Sequence, residues 1–327
     1  MHGLNRTLGH ANMFLYFLFA FLTVPDLSFS KLLAGFVHPH GGIALDPKYF
    51  NTTNHTAKHE AWEIHNACTR IGQIVISLAP DIIFLSTPHG ISDLNNFVFY
   101  LNPTGAGYAD TDNCQCPPCC YKVNASLDSR RSEEIVSEFG TARNVSGLSG
   151  YGPPGGSDVP FPLRWGEVIP LYFIPSLEKV KVVILSQPSR RYTKDVEMIP
   201  ELLQLGGDLY RYLEALSERV VVIVSADLAH THLKDGPYGF SNTSEPFDLA
   251  IGIWASTLDG QALLKTAAGL VDRALSCGYT GLVMLHGLLE AASLSSWVPK
   301  VFANYHPSYY GMMVASFIRG IQVDITD

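Results

Sequence analysis

Residues Val220 to His230 read VVVIVSADLAH: an unbroken run of β-branched aliphatic residues, then Ser225-Ala226-Asp227 and a histidine. A run this apolar, with no polar alternation, predicts a strand covered on both faces, as in the parallel sheet of an α/β protein. Two other stretches end in the same way. Leu32 to Val37 (LLAGFV) runs into His38-Pro39-His40-Gly41-Gly42, and Ile82 to Thr87 (IIFLST) runs into Pro88-His89-Gly90. Between those two, apolar residues recur at Ile64, Cys68, Ile71, Val75 and Leu78, the stripe of an amphipathic helix from Lys58 to Ala79 that Pro80-Asp81 ends. Strand, helix and strand in this order predict a β-α-β unit with a parallel strand pair joined by a crossover.

Further out, residues 102–160 are rich in Pro, Gly, Ser and Asn, with one helical stretch near Arg130 to Phe139. A segment of that length without regular pattern is expected to be an insertion or a functional lid. Order resumes with predicted strands at Val168 to Ile174 and Lys181 to Ser186, and a helix from Glu197 to Leu216. Helices are predicted at Phe247 to Ser256, Gly260 to Ala268 and Gly281 to Ser293, and closing strands at Lys300 to Tyr305 and Gly311 to Ile318. Buried strands alternating with helices point to one α/β domain over 31–327 with helices on both faces of its sheet.

Composition narrows the function. Of 327 residues, 47% are hydrophobic and 16% charged, ample for a core. The net charge of −8, with no basic run longer than pairs such as Arg130-Arg131 and Arg190-Arg191, excludes the basic face that a nucleic-acid binder needs. Met13 to Val24 (MFLYFLFAFLTV) is too short to span a bilayer and is followed by Ser28-Phe29-Ser30, so residues 1–30 read as a signal peptide cleaved before Lys31. The expected location is therefore outside the cell or in the secretory lumen; a cytoplasmic location follows if the run is instead a buried element. N-x-S/T sequons at Asn5, Asn51, Asn54, Asn124, Asn144 and Asn242 agree with the first reading. Of the six cysteines, Cys114, Cys116, Cys119 and Cys120 crowd together, as a local disulfide knot in a secreted chain or a structural zinc site in a cytosolic one.

The chemistry gathers at the strand ends, where ligands of α/β sheets bind. His38 and His40 follow the first strand, His89 the second, and His230 the VVVIV strand, three residues after Asp227. Neutral imidazoles collected at one edge suit a divalent transition metal, because each offers a nitrogen lone pair.

In order along the chain, VHPHGGIAL, PDIIFLSTPHG, SADLAH and SCGYTGLVMLHGLL resemble the motifs of class III extradiol ring-cleavage dioxygenases of the subunit-B type and their Memo-type relatives. The resemblance runs from about residue 33 to 318 and implies a three-layer α/β/α sandwich with a mostly parallel or mixed sheet and one mononuclear metal. It implies His40 and His89 as metal ligands and His230 as the acid and base beside the metal. Where the dioxygenases have a glutamate ligand, this chain has Cys277, 47 residues after His230, and Memo-type proteins are similar in placing a cysteine there. Trp165 to Leu171 resembles the family's Gly-x-x-x-Pro-Leu strand entry.

The function so implied is an iron(II) dioxygenase opening a catecholic ring, with a small aromatic substrate and O2 as partners. The alternative is a non-oxygenating Memo-like metal-binding or signalling protein. A thiolate ligand also suits copper or zinc. A hydrolase using the same histidines would take Asp227 as its acid-base group. Around the centre, His38, His232 and His306 are expected to back the ligands or line the substrate pocket. His55, His59 and His65 read as a solvated helix face, and His286 as a packed core residue. A homodimer is compatible with this reading.

Overall fold

The computed structural model describes residues 31–150 and 159–320; the signal peptide expected at 1–30 and the Asn5 sequon lie outside the described residues. The strands are β1 (Leu32–His38), β2 (Ile82–Thr87), β3 (Phe97–Tyr100), β4 (Thr104–Ala109), β5 (Tyr121–Leu127), β6 (Val145–Leu148), β7 (Phe161–Leu163), β8 (Lys181–Ser186), β9 (Val220–Ser225), β10 (Trp297–Tyr305) and β11 (Met312–Arg319). The α-helices are α1 (His55–Ser77), α2 (Ser129–Phe139), α3 (Trp165–Tyr172), α4 (Arg191–Lys194), α5 (Ile199–Glu214), α6 (Ser244–Thr257), α7 (Val271–Ala274) and α8 (Tyr279–Ala291). All the strands join one mixed sheet, ordered β10-β11-β1-β9-β2-β8-β5-β4-β7, with β3 and β6 branching from β8.

The centre of the sheet, β1-β9-β2-β8, is parallel, while β11 and β10 close one side antiparallel. Alternate residues of each central strand enter opposite cores: Val37, Phe84 and Val222 face α5, α6 and α8, whereas Phe36, Ile83 and Val221 face α1 and α3. Both faces are thus covered, which is why these strands read as unbroken apolar runs and why the molecule is an α/β/α sandwich. β1 and β2 are parallel but not neighbours, because β9 lies between them. The strand-end loops carrying His40, His230 and His89 consequently lie side by side.

Two expectations are corrected. Val168 to Ile174 is not a strand: α3 spans Trp165–Tyr172. Its start is stabilised locally, since Arg164 N–H donates to Glu167 Oε2 at 2.8 Å. β-branched residues there pack between the sheet and the β4-β5 hairpin, and burial overrides their weak helix propensity. The segment 102–160 is also no bare loop. β4 and β5 form an antiparallel hairpin that extends the sheet through β8, and β5 buries Val123, Ala125 and Leu127 while exposing Lys122 and Asn124. The hairpin tip carries the four clustered cysteines, joined Cys114–Cys119 and Cys116–Cys120, so the disulfide reading holds over the zinc one.

Among the described residues no helix is long and apolar enough to cross a membrane. The five described sequon asparagines, Asn51, Asn54, Asn124, Asn144 and Asn242, are all exposed.

Candidate metal centre

Three sequence elements far apart in the chain meet at the carboxyl ends of β1, β2 and β9. The donor atoms of His40, His89 and Cys277 lie within 4.8 Å of one another. His40 Nε2 is 3.2 Å from Cys277 Sγ, and the His40 and His89 rings meet edge to face with centroids 4.7 Å apart. The fold thus brings the three residues named as ligands by resemblance within reach of one another; among the described residues His232, Asp248 and His306 form a second group of donors as closely spaced.

The tautomer of His40 follows from a chain of hydrogen bonds. Pro170, inside α3, has no N–H, so the Gly166 carbonyl one turn earlier lacks its helical donor. Ser225 fills the gap, its Oγ–H donating to Gly166 O at 2.6 Å. With its only proton used, Ser225 Oγ accepts from His40 Nδ1–H at 2.9 Å. Nε2 is left with its lone pair aimed at Cys277 and the open pocket. An outer partner that fixes a ring and its tautomer is the usual companion of a metal-ligating histidine. Gly166 makes the approach possible: a Cβ there would sit 2.6 Å from Thr87 Oγ1 and 3.0 Å from His89 Cβ.

Burial sets the protonation states. His40 is held well below the ordinary imidazole range by desolvation and by the neighbouring His89 and His230, and His89 is pushed down to about 3 by desolvation and then by Arg191. Both are neutral donors at physiological pH. Burial, reinforced by the nearby Asp227 carboxylate, pushes the Cys277 thiol up to about 12. Two imidazole nitrogens and a thiol that a metal would deprotonate make a fitting donor set for a borderline or soft divalent ion.

A pocket of about 410 Å³ opens on this edge, lined by His40, His89, Asp112, Trp165, Asp227, His230, Tyr238, Tyr309 and Tyr310 among others. His230 donates Nδ1–H to the carbonyl of Leu228 at 2.9 Å, leaving Nε2 free to accept a proton, and Tyr310 stacks beside it at 5.9 Å. Desolvation lowers His230 to about 4, so it is a neutral base at neutral pH. Asp227 is tied down at one oxygen: Oδ1 accepts from His40 N–H at 2.9 Å and Gly41 N–H at 3.3 Å. Its Oδ2 stands 3.4 Å from His40 Nε2, and burial raises the carboxyl to about 7 against those N–H donors.

Three expected pocket residues lie elsewhere. His38 is buried on the α1 side of the sheet, the side Phe36 also faces, bonded to the Pro39 carbonyl and packed on Phe173; β1 ends at His38, so His40 lies beyond the strand and is not held to that face by the pleat. His232 bonds Asp248 Oδ2 at 2.8 Å and stacks on His306 at 4.0 Å, so the two form a separate cluster behind Tyr309. His286 is the core residue expected, accepting from Trp254 Nε1–H at 3.1 Å. His55 and His59 are exposed on α1, while His65 bonds the Ala44 carbonyl.

Sequence reasoning missed Ser225, Gly166 and Arg191, whose contacts to the site are long-range. The segment expected as an insertion or functional lid folds as the β4-β5 hairpin and reaches the site. Asp110, Thr111, Asp112 and Gln115 of the tip line the pocket, and Tyr310 Oη–H donates to Asp112 Oδ2 at 2.8 Å.

No protein-family model matches the chain. It is similar to protein CA_C1420 of Clostridium acetobutylicum, 27% identical over 156 residues that make up 47% of this chain. The matched stretch is 32% of that protein's length, so the chain spans about a third of the curated relative it matches. An uncharacterized protein of Escherichia coli K12, JW3007, superposes with a TM-score of 0.48 at 13% identity, over 87% of this chain and 99% of that one.

Proposed function

We propose that this pocket is a mononuclear metal centre of the extradiol ring-cleavage type, acting on a catecholic substrate with O2. The observation that supports it most is the meeting of His40, His89 and Cys277 around one small space, with His40 Nε2 held as the free lone pair. Those three residues would hold the ion, with Fe(II) first choice and copper or zinc the alternatives. When bound, the ion supplies open positions for a diolate and dioxygen and the electrons that couple them.

The protein's own groups divide the remaining work. His230, neutral and on the pocket wall, accepts a phenolic proton as the substrate enters and returns it later. Tyr310 and Tyr238 flank that ring and hold its plane. Trp165, tilted by 33° against His89 with ring centroids 5.0 Å apart, offers an aromatic wall for a flat substrate. Asp227 orients the His40-Gly41 backbone rather than acting on substrate. Anaerobic Fe(II) loading followed by oxygen-uptake measurements with a panel of catechols tests the reading: catechol-dependent uptake supports it, and silence from a fully loaded protein refutes it.

A second reading is favoured by Cys277 itself. A buried thiol 3.2 Å from a histidine nitrogen is a soft donor, better matched to copper than a carboxylate is. On that reading the same pocket binds metal without oxygenation, as in a Memo-like binding or signalling protein. The exposed sequons and the stapled hairpin support placing either activity in an oxidising, secretory environment.

A further inference from the structure

Arg191 is the anomaly of the site. It opens α4, it is only 4% exposed, and among the described residues no carboxylate comes within the 4.0 Å of an ion pair. Nη2 donates to the Pro88 carbonyl and to Tyr192 Oη, which pins the loop carrying His89. The remaining three N–H bonds, on Nε and Nη1, have no acceptor. Its neighbour Arg190 is satisfied by Glu201, so the two adjacent arginines have different tasks. A buried guanidinium missing its counter-charge is costly, and such a group in a native structure calls for a ligand.

The surroundings say where that ligand enters. Two cavities flank His89, of about 220 Å³ and 180 Å³, and Arg191 with Tyr192 lines both. The smaller one also carries Cys277 and His230, so it communicates with the metal centre. The acidic side chains on its walls, Asp195 and Asp272, stay outside ion-pair range of the guanidinium. Tyr192 lies over the guanidinium, 3.8 Å from charge to ring centroid, yet is itself 63% exposed. That ring covers one face of the guanidinium, and an exposed ring loses little packing when it swings aside.

We propose that Arg191 is an oxyanion anchor beside the metal centre, capped by Tyr192, and that it receives a carboxylate carried by the aromatic substrate. A forked guanidinium with free N–H groups matches a planar carboxylate better than it matches a neutral group. Assigning the anion to the substrate rests on the catalytic reading of the pocket; the anion site itself does not.

The test is calorimetric binding to the full chain as purified, under argon so that binding alone is read. The probes are 3-(3,4-dihydroxyphenyl)propionate, its amide, and inorganic phosphate. The acid is expected to bind about ten- to a hundredfold tighter than the amide, the size of charge-assisted hydrogen bonds in a dry site. That preference should vanish in Arg191→Gln and shrink in Arg191→Lys. Tyr192→Ala, which alters an exposed ring and tests the site even if the arginine variants fail to fold, should raise affinity for the acid and leave the amide unchanged. Equal binding of acid and amide, no binding of either, or a preference that survives Arg191→Gln overturns the proposal. Phosphate competing with the acid supports the anion site; phosphate binding while acid and amide are equal overturns the substrate assignment. Oxygen uptake is measured separately. An acid preference without uptake refutes the dioxygenase reading alone, and uptake indifferent to the carboxylate refutes this one alone.

Discussion

Ser225 Oγ accepts the Nδ1 proton of His40 at 2.9 Å while giving its own proton to Gly166 O at 2.6 Å, and this relay decides which nitrogen of His40 faces the pocket. Ser225→Ala removes the acceptor and frees the ring to flip or change tautomer. Metal affinity should fall about ten- to a hundredfold, the usual cost of losing an outer-shell partner, with the fold intact. Metal titration followed by circular dichroism checks both halves, and an unchanged affinity would show that the relay has no bearing on the site.

The second prediction concerns pH. Burial pushes the Cys277 thiol up to about 12, whereas burial holds both imidazole ligands down, so they are neutral at neutral pH and above. Between pH 7.5 and 9 metal uptake therefore releases the thiol proton and no imidazolium proton. Because the thiol is protonated throughout that window, raising the pH favours the bound state, by about tenfold in apparent affinity per pH unit. Affinity flat or falling across the window would mean that Cys277 is not a ligand. Cys277→Ser should abolish most of the slope.

His230 should separate binding from turnover. It lines the pocket but is not among the clustered donors, so His230→Ala should keep the metal and lose about a hundred- to ten-thousandfold in turnover, the range of general acid-base catalysis. With His230 lowered to about 4, its protonation should not limit activity above pH 5. Loss of metal in the variant would reassign His230 as a ligand.

The hairpin tip makes a further test. Asp112 holds the tip against Tyr310, and Gln115, between two bonded cysteines, lines the pocket. Replacing Cys114 and Cys119 by serine should leave metal content unchanged and weaken substrate affinity severalfold, since short disulfides order a tip with no core of its own. Loss of metal in the cysteine variant would contradict the tip's role as a cover.

Much of the frame was legible in the chain. β1, β2 and β9 announced themselves as apolar runs because both of their faces are buried, and the histidines following them marked the functional edge. β5 was hidden: YKVNASL alternates as a half-buried strand should, but Pro, Gly and Cys on either side drown the pattern. α3 was mistaken for a strand because its β-branched residues are buried on every side, so periodicity vanishes. In the site, His40, His89 and Cys277 were reached through motif order, whereas Ser225, Gly166 and Arg191 act across 59 to 185 residues of sequence and leave no local pattern. His232 and His306 were misplaced for the opposite reason: nearness in sequence to His230 and Tyr310 does not fix the direction of a side chain in a loop.

The most direct measurement is metal content per chain. Protein isolated without chelators, or reloaded anaerobically with Fe(II), Cu(I) or Zn(II), should hold about one equivalent, bound at His40, His89 and Cys277 and not at the His232, Asp248 and His306 group. His40→Ala, His89→Ala and Cys277→Ala should each lower it sharply while His306→Ala leaves it unchanged. A wild-type chain that binds none of the three ions, or one equivalent that persists when His40 and Cys277 are both replaced, would contradict the account.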